Sequence, residues 1–181
     1  MRKEIKNMAF LPLPVLIIGT FDENGKPNAM NAAWGGVSDY GEVSIALSPH
    51  KTTDNLKKTK AFTVAFATKN TEQISDYFGM VSGRTEDKIA RAGITFSKSK
   101  NVNAPIFDCY PLALECKMVS FENGTLIGKV VATSVDEQYI KKDGALDVDK
   151  MEIISFDMSS NTYRVLGPVV GKAFSDGLKL K

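Results

Sequence analysis

With 181 residues, 43% of them apolar and 24% charged, the chain can bury roughly 70% of its unfolded surface within one domain spanning 1–181. Its 23 basic against 21 acidic residues leave a net charge of +2, which gives no electrostatic footprint for a nucleic acid. One histidine, His50, and two cysteines, Cys109 and Cys116, argue against a metal centre and against a secreted disulfide framework.

The opening MRKEIKNMAFLPLPVLIIG places basic residues before apolar ones. Prolines interrupt the run Phe10–Gly19 and no small-residue cleavage site follows, so it reads as a leader into a core strand, not a signal peptide. It is too short to span a bilayer. Val15–Phe21 is a β-branched apolar strand, Asn24-Gly25 signals a hairpin turn, and Asn28–Gly35 returns as the partner. Glu42–Leu47 supplies a third strand and Ala61–Ala67 a buried fourth. Short helices are expected at Thr53–Lys60, Glu72–Tyr77 and Glu86–Ala92, each opening on polar or charged residues. Leu112–Phe121 and Thr125–Val135 form a second hairpin around Glu122-Asn123-Gly124, and late strands lie at Glu152–Phe156 and Thr162–Leu166. The class is therefore mainly β, a barrel with a few short peripheral helices.

Three segments could carry chemistry. In Ser48-Pro49-His50-Lys51-Thr52-Thr53, Pro49 ends strand geometry and a threonine can cap the helix that follows. A helix start leaves N–H groups unpaired and favours an anion. Lys51, His50 and the hydroxyls of Thr52 and Thr53 would add to it; the plain alternative is a capped surface helix. In Asn31-Ala32-Ala33-Trp34-Gly35-Gly36, small residues would let a flat ligand lie against the backbone. The competing reading there is a bulged core strand with a buried Trp34. In Ser82-Gly83-Arg84 with Asp87-Lys88, a guanidinium and an ammonium could reach a phosphate. Alternatively, Arg84 pairs locally with Glu86 or Asp87. No GxGxxG follows a strand, and neither GxxxxGK[ST] nor GxSxG occurs, so hydrolase and kinase chemistry lack a foothold.

These motifs, with Pro111-Leu112-Ala113-Leu114-Glu115-Cys116 and the tail Val170–Gly177, run in order along nearly the whole chain. In that arrangement the sequence resembles the flavin reductase-like family of FMN-binding split β-barrels (Greek-key type). Its Ser-Pro-His-Lys-Thr-Thr and Ser-Gly-Arg versions look closer to flavoredoxin-type members than to the two-component reductases. The resemblance implies that Asn31, Ala32, Ala33 and Trp34 lie along the flavin ring. It implies that Ser48, His50, Lys51, Thr52 and Thr53 hold the ribityl phosphate, with Ser82, Arg84 and Lys88 completing the grip. No side chain is assigned as catalytic acid or base. The expectation is a cytoplasmic homodimer that takes electrons from NADH or NADPH as a flavin oxidoreductase. The alternative is an electron carrier that holds FMN tightly and serves protein partners.

Overall fold

Asn24-Gly25 and Asn123-Gly124 each close an antiparallel hairpin, with Gly25, Asn123 and Gly124 all at positive φ, as tight hairpin turns require. The computed structural model describes residues 1–6 and 8–180. In chain order the strands are β1 (Leu13–Pro14), β2 (Leu16–Phe21), β3 (Pro27–Ala32), β4 (Gly35–Asp39) and β5 (Glu42–Ala46). Then come α1 (Lys51–Thr59), β6 (Ala61–Phe66), α2 (Glu72–Met80), α3 (Lys88–Ala92), β7 (Phe96–Lys98) and β8 (Pro105–Phe107). The chain continues through β9 (Leu112–Glu122), β10 (Thr125–Val135), α4 (Val148–Met151), β11 (Ile154–Asp157) and β12 (Thr162–Val165).

Seven strands form one antiparallel sheet in the order β3-β2-β6-β9-β10-β5-β4. The two edge strands, β3 and β4, are consecutive in the chain, and only Ala33 and Trp34 separate them. Ala32 and Gly35 can be at most about 11 Å apart, so the sheet has to curl until its edges come close. Register shifts at Ile127/Gly128 and Val130/Ala132 interrupt the long β9–β10 ladder, the kind of irregularity that bends a sheet. At Gly128 a Cβ would overlap the ring of Phe62, so only glycine lets that ring fill the inside of the curl. The result is the half-closed barrel expected from the pattern of strands.

The barrel interior is packed with Ile18, Ile45, Leu56, Phe62, Val64 and Leu126, all at most 1% exposed. A second core on the outer face joins Ile17, Phe78, Phe107, Tyr110 and Ile154, under α2 and the small sheets β1-β11-β12 and β7-β8. β2 is thus covered on both faces, which is why LIIGTF is uniformly apolar or small and does not alternate. Each large side chain so buried contributes about 1.5–3 kcal/mol. Among the described residues no helix is long and apolar enough to cross a membrane.

Several boundaries differ from those the sequence suggests. The expected strand Asn28–Gly35 stops at Ala32, and its Gly-Gly end opens β4. That break is tertiary in origin: the Trp34 carbonyl accepts from the Ala46 amide at 2.8 Å, turning the chain onto the opposite sheet edge. The first helix starts at Lys51, not Thr53, and α2 runs on to Met80. α3 is shorter, because Asp87 caps it by accepting from the Ala90 amide. β1, β4, β7 and β8 were not anticipated; β1, β7 and β8 are two or three residues long, too brief for periodicity to register.

Candidate functional site

The seam where the sheet edges meet carries the first part of the site. The Ala33-Trp34 corner turns the indole outward, 58% exposed, so the tryptophan is not part of the core. Asn31, Ala32, Ala33, Trp34, Ser48 and His50 all line a cavity of about 340 Å³. Its far wall comes from α2 and the small sheet. Asn31 donates its amide to the Ser75 carbonyl at 2.9 Å, and a Cβ on Gly79 would lie 3.3 Å from that of Asn31. Helix and strand therefore touch closely, with Met80 and Asp76 at the rim. The Tyr163 hydroxyl donates to Asp76 at 2.7 Å, tying β12 to α2 across the same cavity.

The second part is the start of α1. His50 is the N-cap in extended geometry, its N–H donating to the Thr53 hydroxyl at 2.9 Å. That hydroxyl in turn donates to the His50 carbonyl at 2.8 Å, so the threonine side chain is committed to the cap. The first helical hydrogen bond runs from the Asp54 amide to the His50 carbonyl. The N–H groups of Lys51 and Thr52 therefore have no partner inside the helix, the Thr53 N–H belonging to the capping box with His50, and the positive end of the dipole sits among them. Thr52 is fully buried and its hydroxyl accepts from the Asn28 amide at 2.8 Å.

The third part is charged. Lys26, Lys51, Arg84 and Lys88 share a cavity of about 390 Å³ with Asp22, Asp54, Glu86 and Asp87. Arg84 does not pair with its sequence neighbours but reaches Asp54 on α1, with contacts of 2.9 and 3.0 Å. Lys26 pairs with Asp87 at 2.9 Å. Lys51 lies 3.6 Å from Asp22, close enough to attract and too far for a hydrogen bond.

Lys88 differs from the other cations. It is only 4% exposed, its ammonium donates to the Phe78 carbonyl at 2.9 Å, and it sits 5.7 Å over the Phe78 ring. Among the described residues it forms no ion pair, and burial pushes its pKa down to about 8. A buried ammonium held by one neutral acceptor is costly, and a bound anion would offset that cost.

A narrow passage of about 50 Å³ joins the two larger cavities. It shares Met30, Asn31, His50 and Gly79 with the first, and Asn28, Lys51, Gly83 and Lys88 with the second. Thr52 and Ser82 line this passage, and Arg84 lines the charged cavity. Of the residues singled out from sequence, only Thr53 borders none of the three; it contributes its backbone and the cap. A groove with an apolar, aromatic end and a cationic, N–H-rich end matches a flat ring that carries a phosphate. Asn28, Met30, Asp76, Gly79, Met80 and Tyr163 also border it, and sequence reading missed them. Asp76 and Tyr163 are 87 positions apart, so no local motif could have joined them.

Comparison with known proteins identifies the family and the fold. The flavin reductase like domain matches residues 8–150. The flavoredoxin of Desulfovibrio vulgaris (Miyazaki F) superposes with a TM-score of 0.94 at 31% identity, covering 98% of this chain and 100% of the other. A flavoredoxin from Methanosarcina acetivorans gives 0.89 at 26% identity, covering all of both chains. An uncharacterized protein of Archaeoglobus fulgidus is 27% identical over 172 residues, 89% of this chain and 94% of its own. An FMN-binding protein from Thermus thermophilus, at 18% identity and a TM-score of 0.74, covers 95% of this chain and 99% of its own and shares the fold.

Proposed function

Since the chain belongs to the flavin reductase-like family, we propose that it holds FMN in the groove described above and works as an NAD(P)H-dependent flavin oxidoreductase. When bound, the cofactor supplies the hydride and electron chemistry, and the protein supplies position and electrostatics. Asn31 to Trp34 would flank the ring, with Ser48 and His50 at the turn toward the phosphate. Lys51, Arg84, Lys88 and the free amides opening α1 would hold the phosphate through charge-assisted hydrogen bonds. Ser82 and the Thr52 hydroxyl border the path between them. The observation that carries the reading is the buried Lys88 ammonium, which has no carboxylate partner among the described residues and sits where groove and charged cavity meet.

Residues 1–181 would act as one domain, in the cytoplasm, where the free thiols of Cys109 and Cys116 suit a reducing compartment. We propose a homodimer. Trp34, Val37, Tyr40, Met80, Val170 and Phe174 are each at least 58% exposed, apolar side chains that a second copy would cover.

A second reading is an electron carrier that keeps FMN and passes electrons to protein partners. The two flavoredoxin likenesses favour it, as does the exposed Trp34–Met80 rim at the ring end of the groove, which offers a docking face. Anaerobic mixing of the FMN-loaded protein with NADH, and separately with NADPH, separates the two. Rapid bleaching of the visible flavin absorbance supports the oxidoreductase. Bleaching by dithionite alone leaves the carrier.

A further inference from the structure

Charge is distributed unevenly along the groove. The charged cavity holds four basic residues matched by four carboxylates, whereas among the described residues lining the ring cavity Asp76 is the one carboxylate, and neither Lys nor Arg accompanies it. His50 is the other charge-capable neighbour, on the α1 side. Asp76 is held in place by the Tyr163 hydroxyl at 2.7 Å. Burial, with Asp76 and Glu72 nearby, raises the Tyr163 pKa, so the phenol stays a neutral donor. The carboxylate is exposed at the cavity rim, directed by this one hydrogen bond, and no cation on the cavity wall cancels its negative charge.

We infer that Asp76, positioned by Tyr163, is the residue that holds the bound flavin's midpoint potential low. The inference rests on the FMN reading above. Reduction of the ring takes up two electrons and one proton from solvent at neutral pH, leaving one net negative charge on the ring. A carboxylate at the ring end opposes that charge and leaves the oxidised, neutral ring nearly unaffected. Asp76 thus weakens the grip on reduced flavin selectively, which is what a protein that gives electrons away requires. The cations of the neighbouring cavity do not offset this, because four carboxylates accompany them and the phosphate would engage them in both oxidation states.

The test is spectroelectrochemical titration of the FMN-loaded protein against a reference dye, with separate fluorescence titrations of oxidised and anaerobically reduced FMN. D76N keeps an acceptor for Tyr163 and removes the charge. It should leave the affinity for oxidised FMN within about twofold and tighten that for reduced FMN about tenfold, a rise of about 30 mV for a two-electron couple. D76E, which keeps the charge, should move the potential by less than a third of that. Normal FMN uptake with an unmoved potential in D76N overturns the inference and leaves the functional reading standing. Equal shifts in D76N and D76E also overturn it, since they would reveal packing, not charge. If D76N fails to retain flavin, Y163F decides: releasing the carboxylate from the orientation that Tyr163 gives it should raise the potential, and no change or a fall overturns the inference. A wild-type protein that takes up no FMN overturns the functional reading and this inference together.

Discussion

Asn28 on β3 donates its side-chain amide to the hydroxyl of Thr52 on α1 at 2.8 Å, and both residues are buried. That bond fixes the start of the helix against the sheet edge, where Lys51 and Thr52 line the passage. It also depends on Gly83, where a Cβ would overlap the Asn28 side-chain oxygen. Strand, helix and the Ser82-Gly83-Arg84 turn are thereby locked around one point.

Thr52→Val keeps the shape and removes the acceptor, leaving the Asn28 amide buried without this partner. Urea unfolding of the apoprotein should show a loss of about 1–3 kcal/mol, the cost of an unsatisfied buried group. An equal midpoint and slope would mean that the amide finds another acceptor.

Lys88 sets a pH dependence whose sign can be worked out. Its folded pKa of about 8 lies below the ordinary 10.5. Below about pH 8 both folded and unfolded states carry the proton, so the penalty for the buried charge is fully present. Between about 8 and 10.5 only the unfolded state keeps it, and apoprotein stability should rise with pH. Lys88→Met should remove this rise and stabilise the apoprotein at pH 7 by about 1–3 kcal/mol. FMN affinity should move the opposite way, falling as pH passes about 8, because the deprotonated amine no longer attracts a phosphate. Denaturation and fluorescence titrations at pH 7 and 9.5 measure both trends.

Lys51→Ala tests the phosphate end separately from the ring end. Loss of a charge-assisted hydrogen bond should weaken FMN binding by about 1–3 kcal/mol. Riboflavin, which shares the ring and lacks the phosphate, should bind wild type and variant equally. If riboflavin weakens in step with FMN, Lys51 acts on the ring or on the fold.

Burial raises the Cys109 thiol to about 11 and that of Cys116 to about 12, so neither is a thiolate at neutral pH. Iodoacetamide at pH 7.5, a value chosen near neutrality and roughly one unit below a free thiol's pKa, should modify the native protein slowly. Cys109→Ser should reduce its flavin at the wild-type rate. Cys116→Ser should also hold flavin but lose about 1–3 kcal/mol of stability, since Cys116 is fully buried and the change puts a hydroxyl in the barrel core. Loss of flavin reduction in either variant would reveal a redox thiol.

Much of the scaffold was legible in the chain because its signals are local. Asn-Gly turns need positive φ and mark hairpins by themselves. LIIGTF and AFTVAF read as buried strands from composition, and Thr125–Val135 matches β10 residue for residue. The helix start at His50–Thr53 was visible as a cap, though its register moved by two residues once Thr53 closed onto His50 from inside the first turn.

What the chain alone determined is the inventory: a mainly β barrel, a helix cap beside a lysine, and a small-residue strand leading toward the tryptophan. These follow from preferences within a few residues of each position. Only the tertiary structure decided that Ala33-Trp34 is a corner between opposite sheet edges, that Arg84 pairs with Asp54, and that Lys88 is buried without a carboxylate among the described residues. The Asp76–Tyr163 contact belongs with these, because it exists only once β12 has packed beside α2. Such relationships depend on curling the sheet, and closure brings together residues whose sequence separation carries no information about their distance.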